Sequence, residues 1–198
     1  ELHDWVKKIS GFRPRIGGIV MNCNPFTLGH RYLIEQSSAK VDKLFVFVVE
    51  EDKSVFTFSD RIELVRRGTE DLPNVAVLPG GRFIISSLTF TDYFEKAEHQ
   101  NRIIDPSMDV ELFGAYIAPA LGITIRFAGE EPIDNITRQY NETMAKILPR
   151  YGVIFEEIPR KKQDGEVISA SRVRRLLEAG DFDAIEKING TIYIDPKK

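Results

Sequence analysis

The sequence predicts an α/β protein. Its expected core is an open, parallel, Rossmann-like sheet with helices on both faces, a helical insertion and further helices at the C-terminal end. Three observations predict it. Strand-like and helix-like segments alternate along the chain. The run Lys43-Leu44-Phe45-Val46-Phe47-Val48-Val49 is apolar at successive positions, as a strand covered on both faces must be. Hydrophobic residues make up 42% of the 198 positions, enough for one ordinary core.

Taken in order, Arg15 to Asn22 reads as the first strand. Thr27 to Ala39 follows as a helix, with Leu28, Tyr32, Leu33 and Gln36 near helical spacing. Lys43 to Val49 is the second strand. Ser59 is placed to cap a helix running to Arg67, with acids in its first turn. Val75 to Leu78 is a third strand, ending at Pro79-Gly80-Gly81, and a short apolar stretch, Phe83 to Leu88, comes next. Thr91 to Ala120 separates two strands by more than one crossover needs. It is expected to be an insertion, helical in pieces and broken at Pro106 and Pro119. Ile123 to Ala128 is a strand, Asn135 to Leu148 a helix, and Val153 to Ile158 a strand. Ser169 to Ala179 is a helix stopped by Gly180, Phe182 to Ile188 is a shorter one, and Thr191 to Ile194 is apolar enough to pack. Crossovers in such sheets are right-handed, and ligands bind beyond the carboxyl ends of the strands.

Composition narrows the function. Lys+Arg number 27 against 30 Asp+Glu, a net charge of −3, so the chain has no field for coating a nucleic acid. No apolar run approaches the roughly 20 residues of a membrane span. Residues 1–15 carry charges throughout and lack the apolar stretch of a signal peptide. A single cysteine, Cys23, excludes an internal disulfide framework and suits a reducing cytoplasm. The chain does not begin with Met, and residues 1–14 are expected to be a linker or the remnant of a preceding domain.

Several motifs are missing. There is no Gly-x-x-x-x-Gly-Lys-Ser/Thr, no Gly-x-Gly-x-x-Gly after the first strand, and no Gly-x-Ser-x-Gly. His3, His30 and His99 have no metal-ligand spacing, so no metal site built by the protein is expected.

Two stretches remain informative. Asn22-Cys23-Asn24-Pro25-Phe26-Thr27-Leu28-Gly29-His30 follows the first strand where a helix begins. Free N–H groups and partial positive charge make such a start an anion site. Gly29 lets a ligand approach the backbone closely. Thr27 and His30, three apart, share one side of the first turn and can both donate to phosphate oxygens. The same residues would equally serve as a turn, with Thr27 as N-cap and His30 a structural histidine. Ile168-Ser169-Ala170-Ser171-Arg172-Val173-Arg174 lies at a second strand-to-helix junction. Serines at a helix start with arginines behind them form another anion trap, or simply a capped helix with a basic face. Lys53 follows the second strand as a third cation, or as a solvated loop lysine. Together the three suggest a triphosphate held from several sides, the arrangement phosphoryl chemistry needs.

Thr27-Leu28-Gly29-His30 resembles the T/HxGH signature of the nucleotidyltransferase superfamily, and Ile168 to Arg174 resembles its I-S-S-T-x-x-R motif. Within that superfamily the chain is most similar to the citrate lyase ligase family. Met21 to Leu33, Gly81 to Ser87 and Phe113 to Gly122 carry this likeness, which extends over about Arg15 to Ile188. Members have an acetyltransferase-like domain ahead of this one, so residues 15–198 are expected to be the C-terminal catalytic part. Thr27 replaces the first histidine of the wider signature, Asn24 a common Asp, Cys23 a common Phe and Ala170 the second Ser.

The resemblance implies an AMP-forming ligase. Acetate and MgATP would give acetyl-adenylate and pyrophosphate, and the thiol prosthetic group of the citrate lyase acyl-carrier subunit would then take the acetyl group. It implies that His30, Thr27, Arg174 and Lys53 act on the charge of the phosphates. Asn22, Asn24, Pro25, Phe26, Gly29, Ile168, Ser169 and Ser171 would line the nucleotide site. Gly129 and Glu130 would line its adenine or ribose end, or else form a polar turn. ATP and Mg²⁺ are the expected cofactors, with the ion carried on the phosphates. Cys23 is expected to be a small core residue rather than a nucleophile. The alternatives are an adenylyl- or cytidylyltransferase acting on phosphopantetheine or nicotinamide mononucleotide, and a catalytically silent nucleotide-binding module.

Overall fold

A computed structural model describes residues 1–5, 14–90, 103–132, 134–163 and 166–189. Strands β1 (Ile16–Met21), β2 (Lys43–Val48), β3 (Val75–Pro79), β4 (Ile125–Gly129) and β5 (Ile154–Ile158) form one sheet, ordered β3-β2-β1-β4-β5, in which every pair is parallel. Helices α1 (Leu28–Ser38) and α2 (Phe58–Arg67) carry the chain outward from β1 to β3. The chain then crosses back past β1 to β4. The strand order therefore reverses at β1, and the loops at its carboxyl end open into the crevice where such sheets take ligands.

Alternation along the strands builds two apolar layers. Ile19, Leu44, Val46, Val48 and Phe127 face α1 and α2, where Ile34, Ile62 and Val65 meet them. Phe47 and Val49, with the half-buried Ile16, Val20, Phe45 and Ala128, face the other way. There they pack on α3 (Ser107–Leu112), α4 (Ala118–Leu121) and α5 (Asn135–Ile147). Each fully buried aliphatic side chain contributes about 1.5–3 kcal/mol, so this double burial outweighs local propensity in holding the sheet. Gly17 is required by the packing: a Cβ there would lie 2.8 Å from the Phe127 ring and 2.9 Å from Leu44.

The structure corrects several boundaries. Thr57, not Ser59, caps α2: its hydroxyl accepts from the Asp60 N–H at 3.2 Å and donates to the Asp60 carboxylate at 2.7 Å. Pro106 does precede a helix, but Pro119 breaks none. A π turn over Phe113–Ile117 joins α3 to α4, and Pro119 falls in the first turn of α4, where a missing N–H is tolerated. Gly122 then ends α4 in the left-handed region, at φ +67°. A small antiparallel hairpin, β6 (Lys162–Gln163) and β7 (Glu166–Val167), was not expected; it leads into α6 (Ala170–Glu178) and α7 (Phe182–Asn189). The first part of the expected insertion, 91–102, and the apolar tail at 191–194 lie outside the described residues. Among the described residues no helix is long and apolar enough to cross a membrane.

Candidate active site

The loop leaving β1 turns sharply. Cys23 takes a left-handed φ of 51° and the Asn24–Pro25 peptide is cis. Burial pushes the Cys23 thiol far up, with Arg61 opposing only in part, so the thiol stays protonated as expected for a packed core residue. Asn24 is fixed at both ends: its side-chain oxygen accepts the Phe56 N–H at 3.1 Å, and its carbonyl accepts from Arg174. Pro25 and Phe26 are buried beneath this turn.

Thr27 is the N-cap of α1, and His30 at the third helical position completes a reciprocal capping box. The Thr27 hydroxyl accepts from the His30 N–H at 3.4 Å, while the Thr27 N–H donates to His30 Nδ1 at 3.0 Å. An Nδ1 that accepts cannot carry the proton, so the neutral ring carries it on Nε2 as a donor. Burial lowers the His30 pKa to about 4, helped by the positive charge of Arg160, so the ring is neutral at physiological pH. The Phe26 ring stacks against it at 6.0 Å.

The second signature arrives from the far end of the chain. Ser169 caps α6, accepting the Arg172 N–H at 3.2 Å. Arg174, one turn on, donates to the Asn24 carbonyl at 2.5 Å and to the Ser171 hydroxyl at 3.2 Å. Ile168 is buried, and its carbonyl would lie 3.2 Å from a Cβ on Gly29. The starts of α1 and α6 are thus in contact, and the two stretches singled out in the sequence form one surface.

The flanks are also placed. Gly129 ends β4 and Glu130 follows it; the Gly129 carbonyl accepts from Asn141 at 3.1 Å and the Glu130 carbonyl from Arg160 at 2.6 Å. Asn22 gives its side-chain oxygen to Arg61 at 2.8 Å and donates to the Ser54 hydroxyl at 3.2 Å. Lys53, half exposed, donates to the Ser87 hydroxyl at 3.0 Å and lies 3.6 Å from the Glu51 carboxylate.

The profile of the citrate lyase ligase C-terminal domain matches residues 16–193. The chain belongs to that family. It is 44% identical over 176 residues to the citrate (pro-3S)-lyase ligase of Escherichia coli (strain K12), covering 86% of this chain and 50% of that protein. The ligase of the same name from Haemophilus influenzae is 46% identical over 173 residues, covering 82% and 50%. The chain therefore spans about half the length of the curated relatives it matches. Among solved structures, pantoate-beta-alanine ligase from Francisella tularensis, complexed with beta-gamma ATP and beta-alanine, superposes with a TM-score of 0.53 at 11% identity, covering 92% of this chain and 75% of that one. At that identity the likeness is one of fold, the nucleotidyltransferase-type α/β fold.

In this citrate lyase ligase domain two site residues escaped sequence reasoning. Arg61 is fully buried and donates to the carbonyls of Phe56, Asn22, Val49 and Glu51 at 2.7–3.1 Å. It ties the ends of β1 and β2 together and so shapes the loop that carries Asn24. Arg160, paired with Glu131, brings positive charge close to His30. Neither belongs to a spaced motif; the usable signal was an arginine within an otherwise apolar helix face for Arg61, and none for Arg160. Among the described residues no group of three or more His, Cys, Asp or Glu side chains could hold a metal.

Proposed function

We propose that this domain activates acetate with ATP and passes the acetyl group to a thiol. An acetate oxygen attacks the α-phosphorus, the bond from that phosphorus to the bridging oxygen breaks, and acetyl-adenylate and pyrophosphate form. A thiol then attacks the acetyl carbonyl, gives up its proton and displaces AMP. The thiol belongs to the prosthetic group of the citrate lyase acyl-carrier subunit, and the reaction takes place in the cytoplasm.

One observation carries this reading: Arg174 is bonded to the Asn24 carbonyl, so two helix starts and a guanidinium meet at the carboxyl end of β1. A triphosphate is long enough to use both starts at once. His30 donates through Nε2 to oxygens on which charge grows in the transition state, and Thr27 holds the ring in that tautomer. Ser169, Ser171 and Arg174 grip the pyrophosphate end, and Lys53 adds positive charge. Asn22, Asn24, Pro25, Phe26, Gly29 and Ile168 form the floor, and Gly129 and Glu130 flank the nucleoside. Mg²⁺ carried on the phosphates would supply charge neutralisation there.

Acetate-dependent exchange of labelled pyrophosphate into ATP tests the proposal. Exchange with acetate is expected. Exchange only with phosphopantetheine or nicotinamide mononucleotide would replace it with a nucleotidyl transfer to a phosphorylated acceptor, and nucleotide binding without any exchange would reduce the domain to a binding module.

A further inference from the structure

Beneath the sheet, on the face away from α1, lies a buried polar cluster that the nucleotide site does not use. Asp109 on α3 is buried and accepts three hydrogen bonds. One carboxylate oxygen accepts from the Ile85 N–H and the Thr89 hydroxyl, both at 2.6 Å, and the other from the Tyr140 hydroxyl at 2.6 Å. Arg126, on β4 and 3% exposed, stands beside it with its guanidinium 4.4 Å over the Phe113 ring. Its Nε and Nη1 have no hydrogen-bond partner among the described residues. Removing a guanidinium from water and leaving N–H groups unmet is costly, and Asp109 already accepts three hydrogen bonds from other donors. Burial pulls the Arg126 pKa down while Tyr140 and Asp109 pull it up; arginine stays charged regardless.

We infer that Arg126 is the recognition group for the carboxylate of a short monocarboxylic acid, which deepens the acid-activating reading proposed above and rests on it. Three features set the class of ligand. The unmet donors are cationic and call for an anion. The neighbours of Asp109 and Tyr140, namely Ile84, Ile85, Phe90 and Phe113, are buried and apolar, which suits an anion with a small hydrocarbon tail better than phosphate. The segment that carries Ile84 to Phe90 joins this cluster to the nucleotide site. Ser87 accepts from Lys53, while Ile85 and Thr89 donate to Asp109. Ile85 is β-branched yet held at φ 44°, a costly conformation that its bond to Asp109 enforces.

Two measurements test this. In pyrophosphate exchange, Arg126→Lys is expected to raise the KM for acetate about tenfold or more while the KM for ATP stays within about twofold. An unchanged KM for acetate overturns the inference. In the unmodified chain, the Arg126 Nε–H resonance is expected to shift saturably with acetate, less with inorganic phosphate, and not with neutral acetamide. This second measurement decides the matter if the variant fails to fold. It also separates the two proposals. Absence of acetate-dependent exchange in the unmodified chain removes the proposed function, whereas the resonance still reports whether Arg126 binds a carboxylate. No shift with acetate, or a larger shift with phosphate, overturns the assignment.

Discussion

The backbone N–H of Thr27 donates to Nδ1 of His30 at 3.0 Å, so the residue that caps α1 also dictates where the imidazole proton sits. Two functions of one side chain can therefore be separated. His30→Ala removes the side-chain half of the capping box and the Nε2 donor, while Thr27 still caps through its hydroxyl. The lost bond to the Thr27 N–H is expected to cost about 0.5–1.5 kcal/mol of stability, and the lost donor to slow pyrophosphate exchange by about 100-fold or more. His30→Gln keeps the capping box, since Gln is a natural partner at this position. Its thermal midpoint should return close to that of the unmodified chain while exchange stays impaired. Recovery of both by Gln would show that capping is the only role of His30.

The same ring sets a pH dependence. Its pKa is about 4 in the folded chain, against about 6.5 for a free histidine. The unfolded chain thus binds the extra proton over that interval and the folded chain resists it. The stability contribution is present in full above about pH 6.5 and is lost as pH falls toward about 4. Denaturation midpoints measured from pH 7 down to 4 should fall more steeply in the unmodified chain than in His30→Gln. Equal slopes would mean that the ring is not held neutral.

Arg174→Lys tests the junction between the two helix starts. Lysine is a single flexible point charge and cannot hold the Asn24 carbonyl and the Ser171 hydroxyl with a planar fork. Affinity for ATP is expected to fall about tenfold, read by calorimetry, with the sheet unaffected by circular dichroism. Undiminished ATP affinity would detach α6 from the nucleotide site.

Arg61→Ala would leave the carbonyls of Asn22, Val49, Glu51 and Phe56 without their donor inside the fold. Removing one partner of a buried charged network costs about 3 kcal/mol or more, so the urea midpoint should drop markedly. A shift of only a few tenths would mean that water replaces the guanidinium and that Arg61 does not organise these loops.

Much of this was legible in the sequence. Lys43 to Val49 announced a central strand because both of its faces are covered, and Thr27 and Ser169 announced helix starts because their hydroxyls cap them. The hairpin of β6 and β7 was not, since two-residue strands carry no periodicity. Pro119 misled because a proline halts an α-helix from within but is tolerated in its first turn. At the site, residues close in sequence to a helix start could be named. Arg61, Arg126 and Arg160 could not, because their meaning lies in carbonyls, rings and carboxylates brought to them by distant strands.

Asn24 and Arg174 are 150 positions apart. Closing so long a loop is slow relative to local structure, so the sheet can form before α6 docks. A chain still emerging from the ribosome, or one clipped after β5, would hold the first helix start without its clamp. On the proposed function, competence to grip nucleotide arrives only once α6 has docked, and ATP protection of α6 from proteolysis would report the completed molecule rather than the sheet beneath it.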